Sequence, residues 1–289
     1  YNVTTMATTW HTVATRDIRL LRKQMDIVCS LPREYTFLNY LRCHDDIGWG
    51  LDYDTLKSWG MKEVPHKKYL NDYFQGKTEG SVSRGELYNA DPVTGDARFC
   101  GTTASMCGIE SAGFEQDEQK MDWAITKDVM LHAYMFTQSG IPMLYSGDEI
   151  GQVNDYTYKD DPEKAPDSRY IHRGKFNWDL VENIKDTSSV QGRIFGALDH
   201  LEKIRRSEAV FDADAQVYTK DYSDQSILWI VRKAGGEELH AVFNFSDYPK
   251  TIWMPETAEY MNLLTGRSDE VTTVNLPGWG FMWMKRKYN

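Results

Sequence analysis

Two short runs limit what this chain can fold into more than anything else in it: Tyr35-Thr36-Phe37-Leu38-Asn39-Tyr40-Leu41 and Ile141-Pro142-Met143-Leu144-Tyr145. Both are rich in β-formers and apolar on both faces, which suits strands buried in a parallel sheet. A helical pattern precedes each. From about Met6 to Val28, Trp10, Val13, Leu20, Leu21, Met25 and Val28 recur mostly at spacings of three and four, and Pro32 closes the region. From Glu118 to Ser139, a stripe of Met121, Ile125, Val129, Ala133 and Phe136 predicts a second helix, stopped by Gly140. A third is expected over Ser188 to Arg206, with Ile194, Leu198, Leu201 and Ile204 inward. Helix and strand in alternation predict an α/β architecture.

The period changes after Ser207. Ser226–Val231, Leu239–Phe245, Thr251–Met254 and Phe281–Met284 read as short strands, separated by turn signals such as Gly235-Gly236 and Asp247-Tyr248-Pro249. An antiparallel β-sandwich is therefore expected over residues 208–289, behind an α/β part over residues 1–207. Inside the α/β part, residues 47–117 lose periodicity, apart from a short helix near His66–Gln75 that carries Tyr69, Leu70, Tyr73 and Phe74. An excursion of that length between elements tends to be a lid or a binding loop.

Composition removes several function classes. Lys and Arg total 33 against 43 Asp and Glu, a net charge of -10, so no nucleic-acid surface is expected. No apolar run approaches the ~20 residues of a membrane helix, and the start of the chain lacks the pattern of a signal peptide. Cys29, Cys43, Cys100 and Cys107 form no close pair. Neither a zinc site nor a disulfide framework is indicated, and no metal or cofactor is expected. Free thiols fit a reducing compartment, so a cytoplasmic location is expected, with secretion left open. Nine Trp and 17 Tyr serve core packing first, though sugar-binding clefts use the same rings.

In α/β barrels the chemistry sits where strands end and βα loops begin. Both runs end in acidic clusters, His44, Asp45 and Asp46 after the first and Asp148 and Glu149 after the second. A solvated loop start or a helix cap accounts for such a cluster as readily as a site does.

The segment Tyr40-Leu41-Arg42-Cys43-His44-Asp45-Asp46-Ile47-Gly48-Trp49 resembles the histidine-aspartate motif that ends barrel strand seven in the α-amylase superfamily, glycoside hydrolase family 13. Gly140-Ile141-Pro142-Met143-Leu144-Tyr145-Ser146-Gly147-Asp148-Glu149-Ile150-Gly151 is similar to that family's strand-eight motif. Their order, the insertion between them and the β unit behind them match as well. Within the superfamily, Asp46 with Ile47-Gly48-Trp49, Thr94–Thr102, and Asp167-Ser168-Arg169 with His172-Arg173 look most like the amylosucrase group.

The resemblance implies a C-terminal portion of a (β/α)8 barrel, strands seven and eight, followed by the sandwich. It also implies a retaining mechanism on sucrose or α-glucans, in which a nucleophile and an acid/base carboxyl stand about 5 Å apart. Asp45 would be the third carboxylate, stabilising the transition state. His44 would bind glucosyl hydroxyls, and Asp46, Arg98 and Arg169 would line the acceptor side. No stretch resembles the strands that carry the nucleophile and the acid/base. The expectation is thus a fragment whose partners are sucrose, maltooligosaccharide or α-glucan, and the N-terminal part of the same protein. An α-amylase or α-glucosidase on maltooligosaccharides, and a non-catalytic binding module, are the alternatives.

Overall fold

The computed structural model describes residues 1–32 and 34–288. The first expected helix is two, α1 (Val3–Thr15) and α2 (Arg19–Ser30). The break lies at Arg16, which adopts a left-handed φ of 61° while its N–H still reaches the Thr12 carbonyl at 2.8 Å. The Asp17 carboxylate accepts the Arg19 N–H at 3.0 Å and so starts the second helix. Apolar spacing runs on across the break, which is why periodicity alone joins the two. Trp10, Val13 and Leu21 are fully buried on the inward faces.

Next come β1 (Leu38–Asn39), β2 (Ile47–Gly48), α3 (Tyr53–Ser58), α4 (Glu63–Phe74), β3 (Glu86–Tyr88), β4 (Arg98–Cys100), α5 (Thr103–Cys107), α6 (Ile109–Glu115), α7 (Glu118–Thr137) and β5 (Ile141–Pro142). β1 and β5 pair in parallel, Leu38 beside Ile141 and Asn39 beside Pro142. The ladder is short. The Ile141 and Met143 N–H groups bond to the carbonyls of Phe37 and Asn39 at 2.9 and 2.8 Å, and Pro142 between them has no N–H to give. Tyr35 and Ile141 are exposed, so full burial of both runs does not hold. Among the described residues each strand has only the other as a sheet neighbour.

Residues 47–117 hold more order than their composition suggests. β2, β4 and β3 form a three-stranded antiparallel sheet in that order. Strands of two and three residues are too brief to show a period. Trp49 stacks on Phe74 and Phe99 at 5.5 and 6.2 Å between centroids, which fixes this sheet on α4.

Short 3₁₀ turns run from Asp148 to Lys185, then α8 (Val190–Ser207) follows, capped by Ser189. The C-terminal part is one hydrogen-bonded sheet of β6 (Gln216–Lys220), β7 (Ile227–Ala234), β8 (Glu237–Asn244), β9 (Lys250–Asn262), β10 (Arg267–Leu276) and β11 (Phe281–Lys287), in the order β10-β9-β11-β8-β7-β6, antiparallel throughout. One continuous antiparallel ladder of six strands is compatible with the expected sandwich. Alternation along β7 and β8 still feeds two apolar layers. Leu228, Ile230, Leu239, Ala241 and Phe243 join the core shared with α7 and α8. Ile227, Trp229, Val231 and Val242 pack on Ile252, Met254 and Tyr260 of β9. β9 pairs with β11 at Met261 and Asn262, and its far end ties to the start of β7 through Lys250 and Asp224 at 2.6 Å. The β9–β10 ribbon therefore folds back over the sheet and covers its second face. Among the described residues no helix is long and apolar enough to cross a membrane.

Candidate active site

Immediately after β1 the chain passes from buried to exposed in four residues. Tyr40, Leu41 and Arg42 are buried, whereas the side chains of His44 and Asp45 are more than half exposed. The anchor of this turn is Arg42. Its Nε lies 2.8 Å from Asp148 Oδ1, both side chains are 2% exposed, and the guanidinium sits 4.6 Å from the Tyr145 ring centroid. Asp148 follows β5 through a turn at Gly147, where φ is +97° and a side chain would be strained. A buried ion pair thus ties the loop after one parallel strand to the loop after the other.

His172 adds a second tie. Its Nδ1 accepts the Gly101 N–H at 3.1 Å, which leaves the proton on Nε2, facing the His44 carbonyl at 3.4 Å. Burial, and then the neighbouring Arg42, push its pKa down to about 3, so it is a neutral spacer. The Arg42 Nη1 also reaches the His172 carbonyl at 3.4 Å.

The five residues singled out from sequence gather at one mouth, in two groups. His44 Nε2 lies 3.4 Å from Asp45 Oδ2, and Arg169 Nη1 lies 3.9 Å from Asp45 Oδ1. Asp46, largely buried, faces Arg98 Nε at 3.3 Å from β4. Arg173 is a further contributor whose part sequence reasoning did not assign. Its Nε donates to the His44 carbonyl at 2.6 Å, and its Nη2 stands 3.5 Å from Asp45 Oδ1. Asp167 holds Arg169 through Nε and Nη2, both at 2.8 Å, and that pairing lowers the Asp167 pKa. Arg169 also lies 4.7 Å from the ring centroid of Tyr88 on β3. Asp45 is therefore an exposed carboxylate flanked by two arginines that are held from behind, a rigid set of donors at an open rim.

Cys43 Sγ, a His44 ring nitrogen and an Asp45 oxygen lie within 4.8 Å of one another. The thiol accepts the Asp45 N–H at 3.4 Å, and burial raises its pKa, which works against a thiolate ligand. These three consecutive residues make a poor cation cage.

No family model matches the chain. It is 27% identical over 168 residues to the glucosylglycerate phosphorylase of Escherichia coli K12, a match covering 54% of this chain and 28% of that protein. The chain thus spans less than a third of the length of this curated relative. Among solved structures, the trehalulose synthase MutB of Pseudomonas mesoacidophila MX-45 aligns with a TM-score of 0.45 at 18% identity, over 55% of this chain and 38% of that one. The trehalose-6-phosphate hydrolase of Bacillus licheniformis aligns with a TM-score of 0.43 at 15% identity, over 56% and 39%. The ends of the two strand-end motifs meet in space at the Arg42–Asp148 pair.

Proposed function

We propose that this chain forms part of a retaining α-glucoside-active enzyme, amylosucrase-like, that takes sucrose or an α-glucan as glucosyl donor. The observation that carries the reading is the exposed Asp45 carboxylate, set at the end of a parallel strand and faced by Arg169 and Arg173 at 3.9 and 3.5 Å. Asp45 supports the donor hydroxyls and the cationic transition state, and His44 binds the same glucosyl unit. Asp46, Arg98 and Arg169 shape the acceptor side, Arg173 keeps the His44 backbone in place, and the nucleophile and acid/base come from a preceding part of the same protein.

A second reading has one observation of its own. The phosphorylase relative raises phosphate as the acceptor, and arginines beside Asp45 suit an oxyanion.

The test uses the enzyme containing these 289 residues together with its N-terminal part, and the 289-residue chain by itself, each with sucrose and with maltoheptaose, with and without phosphate. Asp45→Asn is expected to cut turnover by about 10²–10⁴ while leaving the melting curve in place. The short chain is expected to release no fructose or glucose, because acetal cleavage with retention needs both missing carboxyls. Fructose release with glucan growth identifies transglucosylation, and glucose 1-phosphate identifies phosphorolysis. A folded Asp45→Asn enzyme with wild-type turnover removes Asp45 from the mechanism.

A further inference from the structure

A cavity lies where the N-terminal half of α7 meets the C-terminal sheet, and none of the residues placed around Asp45 lines it. Its volume is about 370 Å³, in the lower range of small-molecule sites. Three cations and two carboxylates line it. Arg16 is matched by Asp247 at 3.1 Å, and Lys120 is matched by Asp117 at 3.8 Å and by Glu115. Lys127 is left over. It is 4% exposed, and no described carboxylate stands within 4 Å of its ammonium. Among the described residues its ammonium lies 4.6 Å from the ring centroid of Trp279, and the Arg16 guanidinium lies 4.7 Å from the same centroid. A ring face accepts no full hydrogen bond, so the ammonium's donors remain available, in a chain whose net charge is -10.

Trp279 is itself held for this. It sits at φ 56° between two glycines, and its Nε1–H donates to Asp247 Oδ1 at 2.7 Å. At the rim stands Trp123, 46% exposed, a flat apolar face beside the charge. The Lys127 stem is packed while its ammonium borders the cavity with no carboxylate beside it among the described residues, so an anion entering there would meet a free set of donors. From the unmatched Lys127 and the Trp123 face we infer that this cavity binds a small phosphorylated sugar, with the phosphate on Lys127 and the sugar ring against Trp123. Phosphate suits three free donors on one ammonium, and stacking on an indole suits the apolar face of a pyranose.

Isothermal titration of the 289-residue chain with glucose 6-phosphate, glucose and inorganic phosphate tests this. Glucose 6-phosphate is expected to bind saturably with one site, inorganic phosphate to compete with it, and glucose at the same concentration to give no saturable heat. Lys127→Met, which keeps the packed stem, is expected to weaken glucose 6-phosphate at least about tenfold, and Lys127→Arg to restore it. Trp123→Ala, at an exposed position that leaves the fold in place, is expected to weaken the sugar phosphate several-fold and inorganic phosphate little. Binding at the Asp45 mouth would be indifferent to Lys127. No saturable binding, equal binding by glucose, failure of phosphate to compete, or unchanged affinity in both Lys127→Met and Trp123→Ala overturns the inference.

Discussion

At the scale of single residues, the contact that ties the two loops of the candidate site together is buried away from solvent. Arg42 and Asp148 are 106 positions apart, and neither stands out in the sequence as a partner of the other. Each simply follows a strand. Once β1 and β5 pair, the two charges have no water to turn to and must satisfy each other. Removing one leaves the other buried and uncompensated, which commonly costs ~3–5 kcal/mol. Asp148→Asn is therefore expected to destabilise the chain by about 3 kcal/mol, read as a lower urea midpoint with an unchanged slope. The same variant should loosen the Cys43–Asp46 turn, so backbone amide exchange there should quicken more than in β7 and β8. A loss below about 1 kcal/mol would mean that Tyr145 and the His172 carbonyl hold Arg42 without its carboxylate. By contrast, the residues singled out from the sequence come from matched motifs. His44, Asp45, Asp46, Arg98 and Arg169 are named through the resemblance of their segments to family motifs, since a charged strand end by itself reads equally well as a solvated loop start. Arg173 was visible only as a neighbour in a motif, since its role is set by which carbonyl it meets.

At the scale of elements, the parallel pair is what brings those loops together, and it rests on few bonds. Gly140 decides where β5 begins. Its φ of +112° is open to glycine and strained for other residues, and an added Cβ would run into the Phe37 carbonyl oxygen and crowd the Asn39 amide. That carbonyl is the acceptor for the Ile141 N–H. Gly140→Ala should thus strain the backbone and break a ladder bond at once, for a cost of roughly 2 kcal/mol or more. Chemical denaturation checks it, and a loss within about 0.5 kcal/mol would show that β5 can shift without penalty.

The elements also mark where sequence reasoning stops. α7 and α8 were legible because twenty and eighteen residues give several turns of one apolar stripe. The α1–α2 break was not, because the stripe continues through it. β2, β3 and β4 were not, because two or three residues have no measurable period. β10, almost wholly exposed, lacks the apolar alternation that reveals a strand, and it exists by pairing with β9.

At the scale of the whole molecule, the buried histidines tie stability to pH. Burial lowers the pKa of His11 to about 3, helped by His66, lowers His172 to about 3, helped by Arg42, and lowers His240 to about 4. His66, packed on His11 with ring nitrogens 3.0 Å apart, is lowered by burial too. In the unfolded chain each titrates near 6.5. Between about pH 6.5 and the folded values, the unfolded state therefore binds more protons than the native state, so stability must fall as the pH falls. The loss per histidine approaches ~1.4 kcal/mol for each pH unit below 6.5, or about 2 kcal/mol at pH 5 for a group lowered as far as His172. His132 works the other way. Burial opposes its charge, but Asp128 and Asp148 outweigh burial and raise its pKa, so it returns part of the loss on acidification. Carboxylates held low by partners, such as Asp167 by Arg169, begin to weigh only below the ordinary carboxylate range. The expected curve is flat above about pH 7 and falls steeply from pH 6.5 to 5, well before carboxylates protonate. Urea midpoints at half-unit pH steps measure it. His172→Gln, with an amide to accept the Gly101 N–H, should flatten the drop between pH 6.5 and 5 by about one histidine's share, whatever it costs at pH 8. A midpoint unchanged between pH 7.5 and 5 would show that these imidazoles are hydrated in the native state, and with them the backing of the Asp45 mouth.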